Sequence, residues 1–378
     1  MSHNKGFSAE QYAEAYQRLK SNKAVGREFG VDESVVRRAL KGLAHRQSME
    51  PEVVQKLQSA GFERPEDLHS GWVISKDENG AGVSAYFYNG KKDEKVSLED
   101  HIDMVREAFA SISPAKPVKA PALSAKDLLT VYPIADAHIG MLAWAVETGE
   151  DYDSKIASQR ITTWMHRAVE SSPPSDTAVI IDVGDLTHAD DQKNMTPGSG
   201  HILDVDTRHF RTIEITIWTL AKAVESALAK HKNVKVVILK GNHDPNAYLT
   251  IMFALAAHFR NEPRVEVFKQ PGDFFIYEFG VNMLVANHGD KSGPEKLVGF
   301  VAAKWPEMWG RTKKRYLFTG HKHEHRSKDI AGMVWEQLRA ATAADYYAFS
   351  HAWVSEAQIS GITYHREDGV KYRTYVGA

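Results

Sequence analysis

Along the last two thirds of the chain, short β-branched apolar runs alternate with longer segments whose apolar positions recur at helical spacing. The runs Leu128–Ala135, Ala178–Val183, Val234–Leu239, Val281–Ala286 and Tyr316–Thr319 read as buried strands. Each runs into Asp, Asn or His, usually beside Gly: Asp136-Ala137-His138, Gly184-Asp185, Gly241-Asn242-His243-Asp244, Asn287-His288-Gly289 and Gly320-His321-Lys322-His323. Between them, helices are predicted over Lys155–Ser171, Thr212–His231, Asn246–Phe259 and Lys296–Trp305, with strand-like runs in the tail at Gly332–Leu338, Val354–Ser360 and Lys371–Val376. One such polar strand end could be a turn. Five in one chain point to a site.

The first part of the chain has a different pattern. Residues Ser8–Arg46 read as three short helices, with Ser8 as a cap, Gly30 as a turn and Asp32 capping the third. This is the pattern of a helix-turn-helix, with Ser34, Arg37, Arg38 and Lys41 on the exposed face of the last helix as candidate DNA contacts. From Met1 to Gln47, nine basic residues stand against five acidic ones, a net +4 that suits phosphate contacts. The alternative is a helical packing or oligomerisation module. Residues 49–110 read as a small α+β unit: a helix at Val53–Gly61, a hairpin of Trp72–Ser75 with Val83–Tyr88, and a helix over Ser97–Ala110. Ser111–Lys126, rich in Pro, Ala and Lys, reads as an extended linker. Four segments follow: 1–48, 49–110, 111–126 and 127–378.

Composition narrows the chemistry. The 378 residues carry a net charge of −2, so basic surface must be local, and there is no cysteine. Thiolate ligands and disulfides are excluded, and a reducing, cytoplasmic setting is expected. No apolar run is long enough for a bilayer, so no membrane partner is expected. Any metal must be held by His, Asp, Asn and water, a hard donor set suited to Mn²⁺, with Fe²⁺ or Zn²⁺ as alternatives. In extended backbone, Asp136-x-His138 and His321-x-His323 would each place two ligands on one face. Together with Asp185, Asn242 and His288 they suffice for two cations, with Asp185 the natural bridge and Asp244 placed to orient His243.

In order and in strand context, these five motifs resemble the full set of the calcineurin-like metallophosphoesterase superfamily. The resemblance covers about Asp127–Val376. It implies an α/β (α+β) fold, a two-sheet β-sandwich flanked by helices, with two divalent metal ions at the strand ends. It also implies that Asp136, His138 and His323 hold one ion, that Asn242, His288 and His321 hold the other, and that Asp185 bridges. His243 would serve the leaving oxygen, with Asp244 behind it. The Asp-Arg-Gly of the family's protein phosphatases is replaced here by Leu186-Thr187-His188-Ala189-Asp190, so protein phosphatase activity is not expected. The motif set is shared with the family's DNA-repair nucleases, but only 55 residues follow His323, several of them needed to finish the sandwich, so a repair-complex role with their capping domain is not expected. His188, Asp190, His201 and His209 match no motif and read as structural. Arg208 and Arg211 are candidates for phosphate contacts. The leading expectation is a phosphodiesterase or nuclease acting on DNA. A small-molecule or cyclic-nucleotide phosphodiesterase is the second, with the N-terminal module assembling a homo-oligomer. A DNA-binding regulator, or phage-type structural factor, on a silent phosphoesterase fold is the third.

Overall fold

The computed structural model of the protein describes residues 7–46, 70–76, 82–88, 113–269 and 271–377. The chain divides into two compact units, Met1–Asp103 and Met104–Ala378.

In the first unit, helices α1 (Ala9–Leu19), α2 (Asn22–Phe29) and α3 (Glu33–Arg46) close around Tyr12, Ala15, Val25 and Val36. Ser8 and Gln11 form a reciprocal capping box on α1. Gly30 ends α2 in the left-handed region, and the Asp32 carboxylate accepts the Ser34 N–H as α3 begins. Strands β1 (Ser70–Lys76) and β2 (Gly82–Tyr88) pair antiparallel with Trp72 opposite Tyr86. The helices expected at Val53–Gly61 and Ser97–Ala110 lie outside the described residues.

The second unit is a four-layer sandwich. One sheet has the order β13-β12-β3-β4-β5-β6. Its parallel centre is β3 (Ala125–Ile134), β4 (Ser175–Asp182), β5 (Asn233–Ile238) and β6 (Val265–Val267), joined by α5 (Ser154–Ser171), α6 (His209–Lys230) and α7 (Ala247–His258). The short α4 spans Ala145–Thr148, and β12 (Gln358–His365) and β13 (Gly369–Gly377) close one edge antiparallel. The second sheet has the order β10-β11-β9-β8-β7, from β7 (Phe275–Phe279), β8 (Asn282–Ala286), β9 (Lys314–Thr319), β10 (Arg326–Ile330) and β11 (Met333–Gln337). Helices α8 (Pro294–Lys304) and α9 (Pro306–Arg311) precede β9, and α10 (Tyr346–Ser350) follows β11.

Strand alternation builds the layers. Tyr132, Ile134, Ile180 and Val236 face α5, α6 and α7, whereas Leu129, Val131, Val179, Ile181 and Val237 face the other way. There they meet Leu284, Ala286, Tyr316 and Phe318 of the second sheet. The outer face of that sheet buries Met283, Val285 and Leu317 against Leu297, Val298 and Val301 of α8. Fully burying each such aliphatic side chain stabilises by roughly 1.5–3 kcal/mol, an upper range because unfolded chains already bury some surface.

Two sequence expectations change here. The run at Val354–Ser360 becomes a strand only from Gln358, where pairing with β13 starts; Val354 is exposed. Residues 113–124, within the stretch read as a linker, have neither helix nor strand, and their first part is fastened to the second unit. The Ala115 N–H donates to the His258 carbonyl, and Arg264 Nη2 donates to the Val118 carbonyl at 2.5 Å.

One buried histidine makes the fold pH-sensitive. In the neutral tautomer, His231 Nδ1–H donates to the Ser175 carbonyl at 3.0 Å and Nε2 accepts the Tyr132 hydroxyl at 2.8 Å. Burial pushes its pKa down to about 4, against the Ser175 bond. The unfolded chain therefore takes up this proton first. The contribution is complete above an unfolded pKa of about 6.5 and is lost as pH falls toward 4, by about 3 kcal/mol at most. His231→Gln should be less stable than wild type at pH 7.5 in urea unfolding, with the gap narrowing steadily by pH 4.5. A gap that does not change with pH would exclude the linkage.

Candidate metal centre

The strand ends of both sheets converge on one cluster. Asp136 and His138 follow β3, Asp185 follows β4, and Asn242, His243 and Asp244 follow β5. From the second sheet come His288 after β8 and His321 and His323 after β9. The candidate ligand atoms of Asp136, His138 and His323 lie within 4.8 Å of one another, as do those of Asp185, His288 and His321. His288 Nε2 is 3.1 Å from Asp185 Oδ2 and 3.0 Å from Asn242 Oδ1, while His138 Nε2 is 4.0 Å from the same Asp185 oxygen. All seven expected ligands therefore meet, with Asp185 between the two groups.

The way they meet differs from the sequence argument. Asp136, His138, Asp185, His321 and His323 all have positive φ, between 43° and 71°, so neither Asp-x-His nor His-x-His is extended. The side chains converge because the backbone coils left-handed at each of these residues, at a cost of order 1–3 kcal/mol apiece. Hydrogen bonds hold them there. The His321 N–H donates to both Asp136 carboxylate oxygens at 3.0 and 2.9 Å, and the His243 N–H donates to Asp185 Oδ1 at 2.8 Å. Gly241 passes so close to Asp185 that a Cβ there would overlap the carboxylate. Only glycine fits.

Electrostatics suits cations. Burial alone would raise Asp185, but the protonated His288 beside it holds its carboxyl well below the usual range. His288 in turn overcomes burial and is pushed up to about 10 by Asp185. A metal bound at His288 Nε2 would take the place of a proton there, so metal binding should release a proton. Burial, then the neighbouring His243, lowers His138 well below its ordinary value and keeps it a neutral donor. The donor set of imidazoles, carboxylates and one amide oxygen fits divalent Mn²⁺, Fe²⁺ or Zn²⁺.

Two assignments are corrected. Asp244 does not orient the His243 ring: its oxygens accept the Gly241 and Thr187 N–H groups at 3.0 and 3.1 Å, tying the β5 loop to the β4 loop. Burial, then Asp185, pushes its pKa up to about 7. The His243 ring is instead fixed through Nδ1–H, which donates to the His188 carbonyl at 2.8 Å and leaves Nε2 free of that bond. His188, read as structural from the sequence, belongs to the cluster. Its Nδ1 lies 3.2 Å from His138 Nδ1, and its ring stacks on His243 at 5.3 Å. The signal was its place three residues after Asp185 on a chain already turned into the site. Asp190 accepts the Asn246 and Ala247 N–H groups, both at 2.8 Å, and caps α7. Arg208 and Arg211 are exposed at the start of α6, where Arg211 pairs with Glu214 at 2.5 Å. Among the described residues neither bonds to the cluster. On α3, Ser34 and Arg37 are exposed and Arg37 pairs with Glu33 at 2.6 Å; the side chains of Arg38 and Lys41 lie outside the description.

The chain's likenesses to known proteins are distant ones. No protein-family profile matches it, and no curated protein does. Solved structures do match. A conserved uncharacterized protein and predicted phosphoesterase from Streptococcus pneumoniae matches at 11% identity and TM-score 0.27, covering 67% of this chain and 100% of its own. An archaeal phosphodiesterase matches at 10% and 0.34, covering 66% and 99%. Vps29 from Entamoeba histolytica, solved with Zn²⁺, matches at 13% and 0.27, covering 66% and 98%. Likenesses this distant carry no argument about chemistry, which rests on the site itself.

If His188 orients His138 as a ligand, His188→Ala should weaken Mn²⁺ binding by about 10–100-fold with the fold intact, as loss of a partner behind a metal-bound imidazole usually does. Calorimetric titration with Mn²⁺ measures this. Unchanged affinity would reduce His188 to packing.

Proposed function

We propose that the chain is a dinuclear-metal-dependent phosphoric ester hydrolase, and that its substrate is a phosphodiester of DNA. The observation that carries the first part is the meeting of seven hard-donor side chains from two sheets around a shared Asp185. Asp136, His138 and His323 would hold one cation, and Asn242, His288 and His321 the other, with Asp185 bridging. Two divalent cations, Mn²⁺ foremost, would supply an acidified water and withdraw charge from the phosphoryl oxygens. The protein's own groups do the rest. His243, pinned at Nδ1 by the His188 carbonyl, directs Nε2 to the leaving oxygen as a proton donor. Asp244 and Asp190 position it by holding the loop on which it stands.

The choice of DNA is supported by the N-terminal three-helix unit, in which a left-handed Gly30 turn precedes a capped helix exposing Ser34 and Arg37. Arg38 and Lys41 complete the proposed contact face. The second reading, a small-molecule or cyclic-nucleotide diester, needs none of these contacts.

His243→Ala should keep its full complement of Mn²⁺ by elemental analysis and lose about 10²-fold or more in kcat on bis(p-nitrophenyl) phosphate. A variant that loses metal and activity together would make His243 a ligand. No turnover of any phosphoester by metal-loaded wild type would sink the hydrolase reading.

Deletion of the N-terminal unit separates the substrates. A cut at Ala120 would remove Ala115 and Val118, which are bonded to the hydrolase unit, so the cut belongs at Ala110. The DNA reading expects this deletion to keep its rate on the small diester and lose activity on long DNA. Equal retention on both substrates favours the small-substrate reading.

A further inference from the structure

Three loops that leave the metal centre carry much of the exposed apolar surface, most of it aromatic. The loop after β3 presents Trp144, the loop after β4 presents Ile202, and the segment after β11 presents Tyr346, Tyr347, Phe349 and Trp353. All are about half exposed or more, and Ile202 is 84% exposed. These loops are tied to one another. The Leu142 N–H donates to the Asp204 carbonyl at 2.9 Å, α4 packs on α10, and the His201 ring lies 5.9 Å from Tyr347. They are also tied to the site, since the Ala341 N–H donates to the carbonyl of Ala135, the residue before Asp136. Within the rim, Tyr347, His351 and Trp353 form a compact group with centroids 4.3, 5.1 and 5.7 Å apart.

Exposed rings gathered on neighbouring loops mark a surface made for an occupant. Its place beside a phosphoester centre says which. A substrate that brings a phosphodiester to Asp185 and also offers flat apolar faces to the loops leaving that site is a nucleotide chain whose bases are unpaired. Duplex DNA hides those faces. Arg208, exposed and without a side-chain partner among the described residues, stands two positions from Phe210, itself 76% exposed. This couples a cation for the backbone to a ring for a base.

We propose that the rim is a stacking platform for the bases of single-stranded DNA, making the single strand the substrate form. The proposal rests on the phosphodiesterase reading and adds strandedness to it. The test uses the full chain carrying His243→Ala with Mn²⁺, titrated by fluorescence anisotropy against three probes of one length: a single strand, its duplex and an abasic single strand. The single strand should bind at least about tenfold more tightly than the abasic one, and Tyr347→Ala with Trp353→Ala should abolish that advantage. Trp353→Phe, which keeps a ring, should retain most of it. The same ring substitutions in otherwise wild-type protein should leave turnover of bis(p-nitrophenyl) phosphate unchanged, so a failed platform and a failed hydrolase are told apart. Equal binding of abasic and normal strands overturns the proposal. So do ring substitutions that weaken single strand and duplex equally, or that change only self-association in sedimentation; duplex binding that survives them belongs to the N-terminal helices.

Discussion

The structure depends on one buried carboxylate, Asp185. It is almost wholly buried, faces the His288 ring, takes the His243 backbone N–H and lies within reach of His138. An isolated carboxylate could not be buried so deeply without neutralising, so its charge has to be matched by its surroundings. Each matching group arrives from a different strand: β3, β5 and β8. The packing of the second unit can be read as the means of keeping these partners around a single anion.

The site therefore belongs to neither sheet alone. The first supplies Asp136, His138, Asp185 and Asn242, and the second supplies His288, His321 and His323. What sets their separation is the apolar layer between the sheets, where Val179, Ile181 and Val237 meet Leu284, Ala286 and Phe318. A cavity in that layer would be felt as ligand displacement as well as lost stability, because cores relax only partially around missing methylenes. The reverse coupling also holds. Cations bound across the sheets would add to the stability of the folded state through mass action.

Much of this was legible in the residue pattern, for identifiable reasons. The β-branched runs before Asp136, Asp185, Asn242 and His288 are buried on both faces, and such strands announce themselves by composition. β10 was not legible: Arg326-Ser327-Lys328-Asp329 is an exposed edge strand whose polar sequence shows no alternation. Which side chains gather could be inferred from residue type, but the manner of convergence could not. An extended Asp-x-His and a left-handed one carry the same letters, and only tertiary hydrogen bonds select the second. Asp244 was misassigned for a related reason. Adjacency in sequence to His243 suggested contact, whereas the turn at Gly241 swings the carboxylate back onto the Thr187 and Gly241 backbone. The His188 carbonyl, which does the orienting, is invisible to any reading based on side chains.

Left-handed backbone and crowded imidazoles are two sides of one constraint. Asp136, His138, Asp185, His321 and His323 all sit where L-residues rarely do, and the rings of His138, His188, His243 and His323 crowd at 4.6–5.3 Å. Neither condition favours folding, since the first costs backbone strain and the second brings together groups that repel when protonated. Both conditions follow if donor atoms must converge on a common small volume, because in an extended strand the same-face side chains of Asp-x-His and His-x-His project in parallel from Cα atoms about 7 Å apart. A core histidine cluster kept only for packing would have no need of five strained residues. The strain is therefore the physical argument that this cluster is shaped to hold cations.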